Sequence, residues 1–181
     1  MNNNLRLIVM ENIKDLGCKV ESHLQKMLNT SENLIVPIDE VRFNNGEGKI
    51  VLKESIRKRD VFILTDPMNH SITYKMYDYY NHKSPDDHFV DVIRTLCAIR
   101  KQAVSTSLVM PFLYASRQHK REGRESLDCA ISLQEYIHQG VKNIITFDVH
   151  DSNVQNAIPS SSFDNFYPTN ILLEKFVTTE D

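Results

Sequence analysis

Two short segments carry the side chains best suited to chemistry. The first is Ser116-Arg117-Gln118-His119-Lys120-Arg121-Glu122-Gly123-Arg124. Its arginines and lysine outnumber its one carboxylate. A guanidinium grips phosphate oxygens through two parallel donors, and an amide adds neutral ones. A polyphosphate needs several such partners. The same charges would equally suit a solvated basic loop or one that touches RNA. The second segment is Thr146-Phe147-Asp148-Val149-His150-Asp151. Asp148 and His150 lie two apart, so at a strand end they can project to one side and share a hard metal ion. Equally, such residues cap a following helix or bond to backbone.

Several other chemistries find no support. The three cysteines, Cys18, Cys97 and Cys129, are far apart and form no C-x-x-C, so neither a zinc ribbon nor a disulfide framework is indicated. The five glycines build neither G-x-x-x-x-G-K-(S/T) nor G-x-G-x-x-G. No G-x-S-x-G elbow occurs. Tyr74, Tyr77, Tyr79 and Tyr80 could stack on a base, but their near-helical spacing favours packing. His70, His82 and His88 read as exposed, and Cys97 and Cys129 as core.

These segments need elements to position them. Hydrophobic residues make 41% of the 181, enough for a core. Charge is balanced at 21 Lys+Arg against 24 Asp+Glu, net −3, which argues against a general nucleic-acid binder. No stretch approaches a membrane span, and the amino end lacks signal-peptide features. A cytoplasmic, reduced setting is the simplest expectation. Short apolar runs alternate with amphipathic patterns, which predicts α/β. Strands are expected over residues 5–10, 34–38, 49–53, 61–64, 107–111 and 143–147. One helix is expected from Ile13, with Leu16, Val20, Leu24, Met27 and Leu28 on its apolar side. A second should start at Ser84-Pro85-Asp86-Asp87, with cap, N1 proline and first-turn carboxylates. A third, residues 126–139, should bury Leu127, Ile131, Gln134 and Ile137 or their neighbours. Pro168 should open a last one. Ligands of an open α/β sheet sit beyond the carboxyl ends of strands, where both polar segments fall.

The sequence resembles the N-terminal half of the ribose-phosphate pyrophosphokinase (phosphoribosyl pyrophosphate synthetase) family. Residues 41–64, VRFNNGEGKIVLKESIRKRDVFIL, are similar to the family's F-x-D-G-E turn and E-S-(I/V)-R stretch. Residues 111–126, PFLYASRQHKREGRES, resemble its arginine–glutamine loop. Residues 140–159, GVKNIITFDVHDSNVQNAIP, resemble its V-D-L-H-x-x-x-x-Q block. The resemblance implies a phosphoribosyltransferase-type (Rossmann-like) domain with a mostly parallel sheet flanked by helices. It implies transfer of diphosphate from ATP to ribose 5-phosphate, giving phosphoribosyl pyrophosphate and AMP. Arg117 and Gln118 would hold ATP, with Lys120 and Arg121 bordering. His150 would bind magnesium (Mg2+) bridging phosphates, with Asp148 beside it. Phe43, Asn45 and Glu47 of a neighbouring subunit would enclose adenine, so a homo-oligomer is expected, a dimer building toward a hexamer. A phosphate or ADP effector site would use Ser55, Arg57, Arg124, Gln155, Asp164 and Asn165.

Departures accompany the resemblance. Asn45 replaces an aspartate, and His119 an acidic residue. Asn156-Ala157-Ile158-Pro159 replaces a Gly-Phe-Phe-Asp run, and residues 66–87 are longer and richer in tyrosine than the family pattern. The D-D-x-x-x-x-G-x-T pattern of the family's pentose-phosphate site is absent. The expected organisation is therefore an ATP-side domain over residues 1–165 and the start of a linker or second domain over 166–181. The catalytic loop and pentose-phosphate site would lie outside this chain, which alone would be inactive. The competing readings are a non-catalytic regulatory paralogue and an RNA-binding α/β domain using residues 117–124.

Overall fold

The computed structural model describes residues 4–178. Its centre is a five-stranded sheet in the order β1-β4-β7-β8-β9, every pairing parallel. The strands are β1 (Leu5–Val9), β4 (Asp60–Leu64), β7 (Ser105–Met110), β8 (Asn143–Phe147) and β9 (Ser162–Phe166). Helices α1 (Lys14–Leu28), α2 (Pro85–Ile99), α3 (Asp128–His138) and α4 (Thr169–Thr178) follow β1, β6, β7 and β9. Two antiparallel hairpins stand outside the sheet: β2 (Ile38–Arg42) with β3 (Gly48–Leu52), and β5 (Thr73–Met76) with β6 (Tyr79–His82). The α/β architecture with a parallel sheet is as expected. Among the described residues, no helix is long and apolar enough to cross a membrane.

The central strands read as apolar runs because both faces are covered. Ile8, Val61, Ile63, Leu108 and Ile144 are fully buried. Helix α2 begins as its sequence predicts: Ser84 Oγ accepts from Asp87 N (3.1 Å), and Asp87 Oδ2 accepts from Ser84 N (2.9 Å). That reciprocal pair satisfies two otherwise unpaired backbone donors. Val92, Leu96 and Ile99 then face the core.

Several expectations are corrected. Residues 34–36 add only a short bridge to β1, through Leu7 N to Leu34 O and Val36 N to Leu7 O (both 2.8 Å); Pro37 has no amide hydrogen to extend the ladder, and β2 starts at Ile38. In α1, Leu16, Met27 and Leu28 are exposed, and the packed line runs through Gly17, Val20 and Leu24. Gly17 sets that rotation, since a Cβ there would run into Val9. In α3 the buried face is Cys129, Ser132, Leu133 and Tyr136, while Ile131 and Gln134 are exposed. Tyr136 is drawn inward against Phe89, ring centroids 5.4 Å apart. Cys97 is exposed, and Cys129 is buried. His88 is buried: Asn12 Nδ2 donates to its Nδ1 (3.0 Å), and its Nε2 donates to Asn69 O (2.6 Å). The tyrosines expected to pack lie on and beside hairpin β5–β6, where Tyr77, Tyr79 and Tyr80 are exposed. The edge strand β9 was not apparent in its polar sequence.

The hairpins are tied to α2 by buried charge. Lys83 Nζ lies 2.9 Å from Glu40 Oε2 and 3.1 Å from Asp91 Oδ2. Arg42 reaches Asp91 Oδ2 and Asp87 Oδ1, each at 3.1 Å, and donates to Gly46 O at 3.0 Å. Arg94 donates to Asp91 Oδ1 at 2.7 Å. Side chains of Lys83 and Asp91 are only 4% and 3% exposed, so each charge depends on the others.

Candidate functional site

Both polar segments lie at the carboxyl ends of adjacent strands. Strands β7 and β8 pair in register up to Met110 opposite Thr146, so the loops after them must meet. Residues 113–118 form consecutive tight turns: Ser116 N donates to Leu113 O (3.3 Å) and Gln118 N to Ala115 O (2.9 Å). Gln118 O in turn accepts from Cys129 N at the start of α3 (3.3 Å). After β8, Asp148 takes a left-handed conformation (φ 47°), which aspartate tolerates better than most residues. Its amide donates to Phe166 O (2.9 Å), and the Val149 amide donates to Asn165 Oδ1 (3.2 Å). Strand β9 thereby holds the reversal that presents Asp148.

Between these loops lies an open cavity of about 480 Å³. Its lining brings Arg117, Gln118 and Asp148 together with Phe112, Tyr114, Phe147 and Met68. Asp86 and Asp128 also border it. Phe89 stacks on Tyr114 at 4.9 Å, and the Tyr114 hydroxyl donates to Asp86 Oδ1 at 2.8 Å. Burial and then that carboxylate push the Tyr114 hydroxyl up to about 12, so it remains a donor at neutral pH. The cavity thus pairs an apolar, aromatic wall with a few convergent polar groups, the usual make-up of a small-molecule site.

The remaining expected residues fall elsewhere. Lys120 lines an adjacent cleft with His119 and Asp151. Hydrogen bonds from Asn153, foremost from its backbone amide, hold the Asp151 carboxyl low, and His119 and Lys120 add to this. His119 Nε2 is 3.2 Å from Asp151 Oδ2, and its ring meets the edge of His150 at 5.3 Å. His150 is exposed and does not line the cavity. Arg121 and Arg124 are exposed on the loop. Arg117, Lys120, Arg121 and Arg124 make no ion pair among the described residues.

Phe43, Asn45 and Glu47 occupy the β2–β3 turn and do not line this cavity. There Asn45 Nδ2 donates to Glu47 Oε2 (3.0 Å), and Glu47 N donates to Asn45 Oδ1 (3.1 Å). Ser55 and Arg57 precede the amino end of β4, where Arg57 Nε donates to Gln102 Oε1 (3.2 Å). Asp164 and Asn165 lie on β9, with Gln155 in the 3-10 turn Ser152–Ala157. Strands β7 and β8 stand between the two groups, so one chain does not unite them.

Among the described residues, no three His, Cys, Asp or Glu side chains gather as a metal cage. The donors available are the carboxylate of Asp148 on the cavity and the nearby imidazole of His150. Of the two, the Asp148 carboxylate is the hard oxygen donor of the kind that magnesium takes, whereas the His150 imidazole is a softer nitrogen donor off the cavity.

The sequence reasoning missed the aromatic wall. Phe112, Tyr114 and Phe147 sit at the strand ends beside the polar residues that drew attention. Their position just past an apolar run was the available signal.

Residues 5–140 match the family described as the N-terminal domain of ribose phosphate pyrophosphokinase. Ribose-phosphate pyrophosphokinase 1 of Streptococcus agalactiae is 26% identical over 160 residues, covering 84% of this chain and 41% of that protein. Ribose-phosphate pyrophosphokinase B of Dictyostelium discoideum is 25% identical over 158 residues, covering 86% and 42%. The chain therefore spans about two fifths of the length of these relatives. Its fold matches the crystal structure of phosphoribosylpyrophosphate synthetase from Mycobacterium smegmatis with a TM-score of 0.76 at 20% identity, covering 96% of this chain and 51% of the other.

Proposed function

Since this chain belongs to the family of the N-terminal domain of ribose phosphate pyrophosphokinase, we propose that it forms the ATP side of an enzyme transferring diphosphate from ATP to ribose 5-phosphate. The observation that carries this reading is the convergence of Arg117, Gln118 and Asp148 on one aromatic-walled cavity. Arg117 and Gln118 would hold the nucleotide through its phosphates and ribose. Lys120 and Arg121 would add positive charge at the rim. Asp148 and His150 would hold magnesium, which supplies neutralisation of phosphate charge. The anomeric hydroxyl of ribose 5-phosphate would attack the β-phosphorus, and AMP would leave. Such transfer relies on positioning and charge, so arginines suit it better than a protein nucleophile would.

The adenine contacts of Phe43, Asn45 and Glu47 would come from a neighbouring copy, because in one chain that turn does not line the cavity. By the same reasoning, a phosphate or ADP effector site built from Ser55, Arg57, Arg124, Gln155, Asp164 and Asn165 would form between copies. Pentose-phosphate binding would belong to the part of the relatives' length that this chain does not span.

Calorimetric titration of the full-length protein with MgATP tests the reading. The expected outcome is saturable binding that Arg117→Ala weakens by at least about tenfold, the scale of a lost charged hydrogen bond. Equal MgATP affinity in Arg117→Ala would refute the assignment. Steeply salt-dependent RNA binding in place of nucleotide binding would favour the basic loop as an RNA contact.

A further inference from the structure

The turn between β2 and β3 carries a sequence with chemistry of its own. Residues 43–47 read Phe-Asn-Asn-Gly-Glu, so Asn45 stands immediately before Gly46. The backbone nitrogen of a following residue can attack an asparagine side-chain amide and close a five-membered ring. Glycine hinders that attack least, because it has no Cβ beside the nitrogen. Asn45 is also where this chain departs from the aspartate of the family pattern.

The hairpin requires that glycine for a separate reason. Gly46 N donates to Phe43 O at 2.9 Å, and Phe43 N donates to Glu47 O at 2.8 Å. These bonds close a tight loop whose last residue, Gly46, takes a φ of +91°, where a side chain would be strained. Asn45 and Glu47 are exposed to water. Glu47 grips both ends of the Asn45 amide: Glu47 N donates to Asn45 Oδ1 at 3.1 Å, and Asn45 Nδ2 donates to Glu47 Oε2 at 3.0 Å. The first bond meets the oxygen that gains negative charge when Cγ is attacked, as an oxyanion donor does. The second sets a carboxylate on the nitrogen that must leave, in reach to relay a proton to it. One bond restrains the reaction. Gly46 N is engaged by Phe43 O, so attack waits for the turn to open at that amide.

We propose that Asn45 is a self-modification site, where the chain converts the encoded amide to a carboxylate with water as the only co-reactant. The bond from Gly46 N to Asn45 Cγ forms, and the Cγ–Nδ2 bond breaks. The nitrogen leaves as ammonia, carrying the proton that Gly46 N gives up, with the Glu47 carboxylate as relay. One water then opens the cyclic imide. Cleavage of the new N–Cγ bond gives aspartate, and cleavage of the original peptide bond gives isoaspartate. Neither product keeps the amide donor, so Glu47 loses a hydrogen bond and faces a second negative charge. The site stands on the chemistry of the turn. Its effect on a nucleotide rests on the preceding reading of Asn45 and Glu47.

The test is a time course on the full-length protein at neutral pH, read against a zero-time sample. Tryptic digestion frees residues 43–49, which Arg42 and Lys49 bound. Peptide mapping by mass spectrometry should show this peptide gaining the mass of an acid in place of an amide, at residue 45, in aspartate and isoaspartate forms. Asn45→Gln should abolish the gain. Glu47→Gln should slow it about tenfold, the scale of one charged hydrogen bond. A protein that keeps the amide while the free peptide of the same sequence converts overturns the proposal, because the turn then protects Asn45. Conversion confined to Asn44 overturns it as well, and an equal rate in Glu47→Gln overturns the part given to Glu47. The wild-type time course decides the matter even if a variant folds poorly. MgATP titration of fresh and aged protein, with Asn45→Asp as reference, keeps the two claims apart. Conversion with unchanged MgATP affinity retains the site and sinks the placing of Asn45 at the nucleotide.

Discussion

The arm made of hairpins β2–β3 and β5–β6, where it meets α2, and the basic loop at the cavity rim use charge in opposite ways. Lys83, Arg42 and Glu40 of the arm and Asp87, Asp91 and Arg94 of α2 pair with one another, and the central ones are buried. At the rim, Arg117 lines the cavity and Lys120, Arg121 and Arg124 follow on the same loop, all exposed and with no ion-pair partner among the described residues. Charges that satisfy each other hold a shape. Charges left open in water cost the fold little and stay free to meet a ligand. The arm's network is therefore structural, and the rim's cations are the ones suited to binding an anion.

The sharpest way to break this contrast is Asp91→Ala. It leaves Lys83 buried beside Arg42 with one carboxylate fewer, and removal of one member of a buried pair costs about 3–5 kcal/mol. Urea unfolding should show that loss; a change under 1 kcal/mol would mean that the network is not what holds the arm.

The pH dependence of stability sharpens the same point. Burial pushes the Asp91 carboxyl up, but Lys83, Arg94 and Arg42 outweigh it, and its ordinary value is lowered on folding. Asp91 therefore contributes stability above its unfolded pKa, near ~3.9, and that contribution fades as pH falls through the lower folded value. Burial pushes Lys83 down, yet Glu40 and Asp91 win and raise it. Its contribution is whole below the unfolded value, near ~10.4, and fades as pH rises through the folded value. Melting temperatures across pH should show Asp91→Asn removing stability throughout the plateau between these limits and flattening both flanks. A variant profile parallel to the wild type would contradict the assignment.

Ser84→Ala probes the root of the arm. It removes the cap of α2 and one of the bonds that orient Asp87 toward Arg42. About 1 kcal/mol should be lost, measured by denaturant midpoint. Arg117→Ala is the counterpart at the rim, and its stability should stay within about 0.5 kcal/mol of the wild type. A larger loss in thermal unfolding would place Arg117 in the structural class with the arm.

Much of this was legible from one sequence. The parallel-sheet class followed from apolar runs of strand length separated by amphipathic stretches, and Ser84-Pro85-Asp86-Asp87 marked the start of α2 because capping is a local interaction. The family followed from three motifs in order, and the family match over residues 5–140 spans the first two. Placement was less legible. Tyr74, Tyr77 and Tyr80 are spaced three apart, a helical period, yet the chain turns back after Met76 and pairs it with Tyr79. His88 lies on the same helix as the core residues Val92 and Leu96, but its burial depends on Asn12 and Asn69 from other segments.

What the sequence alone determined was local: element types, the cap of α2, and which residues could grip phosphate. What only the tertiary structure decided was convergence. Strands β7 and β8 had to pair before Arg117, Gln118 and Asp148 could share one cavity with Phe112 and Phe147. Hairpin β5–β6 had to fold against β2–β3 before its tyrosines became a surface. The physical reason is that periodicity and capping act within a few residues, whereas a site is built by contacts between segments far apart in the chain, which no local spacing records.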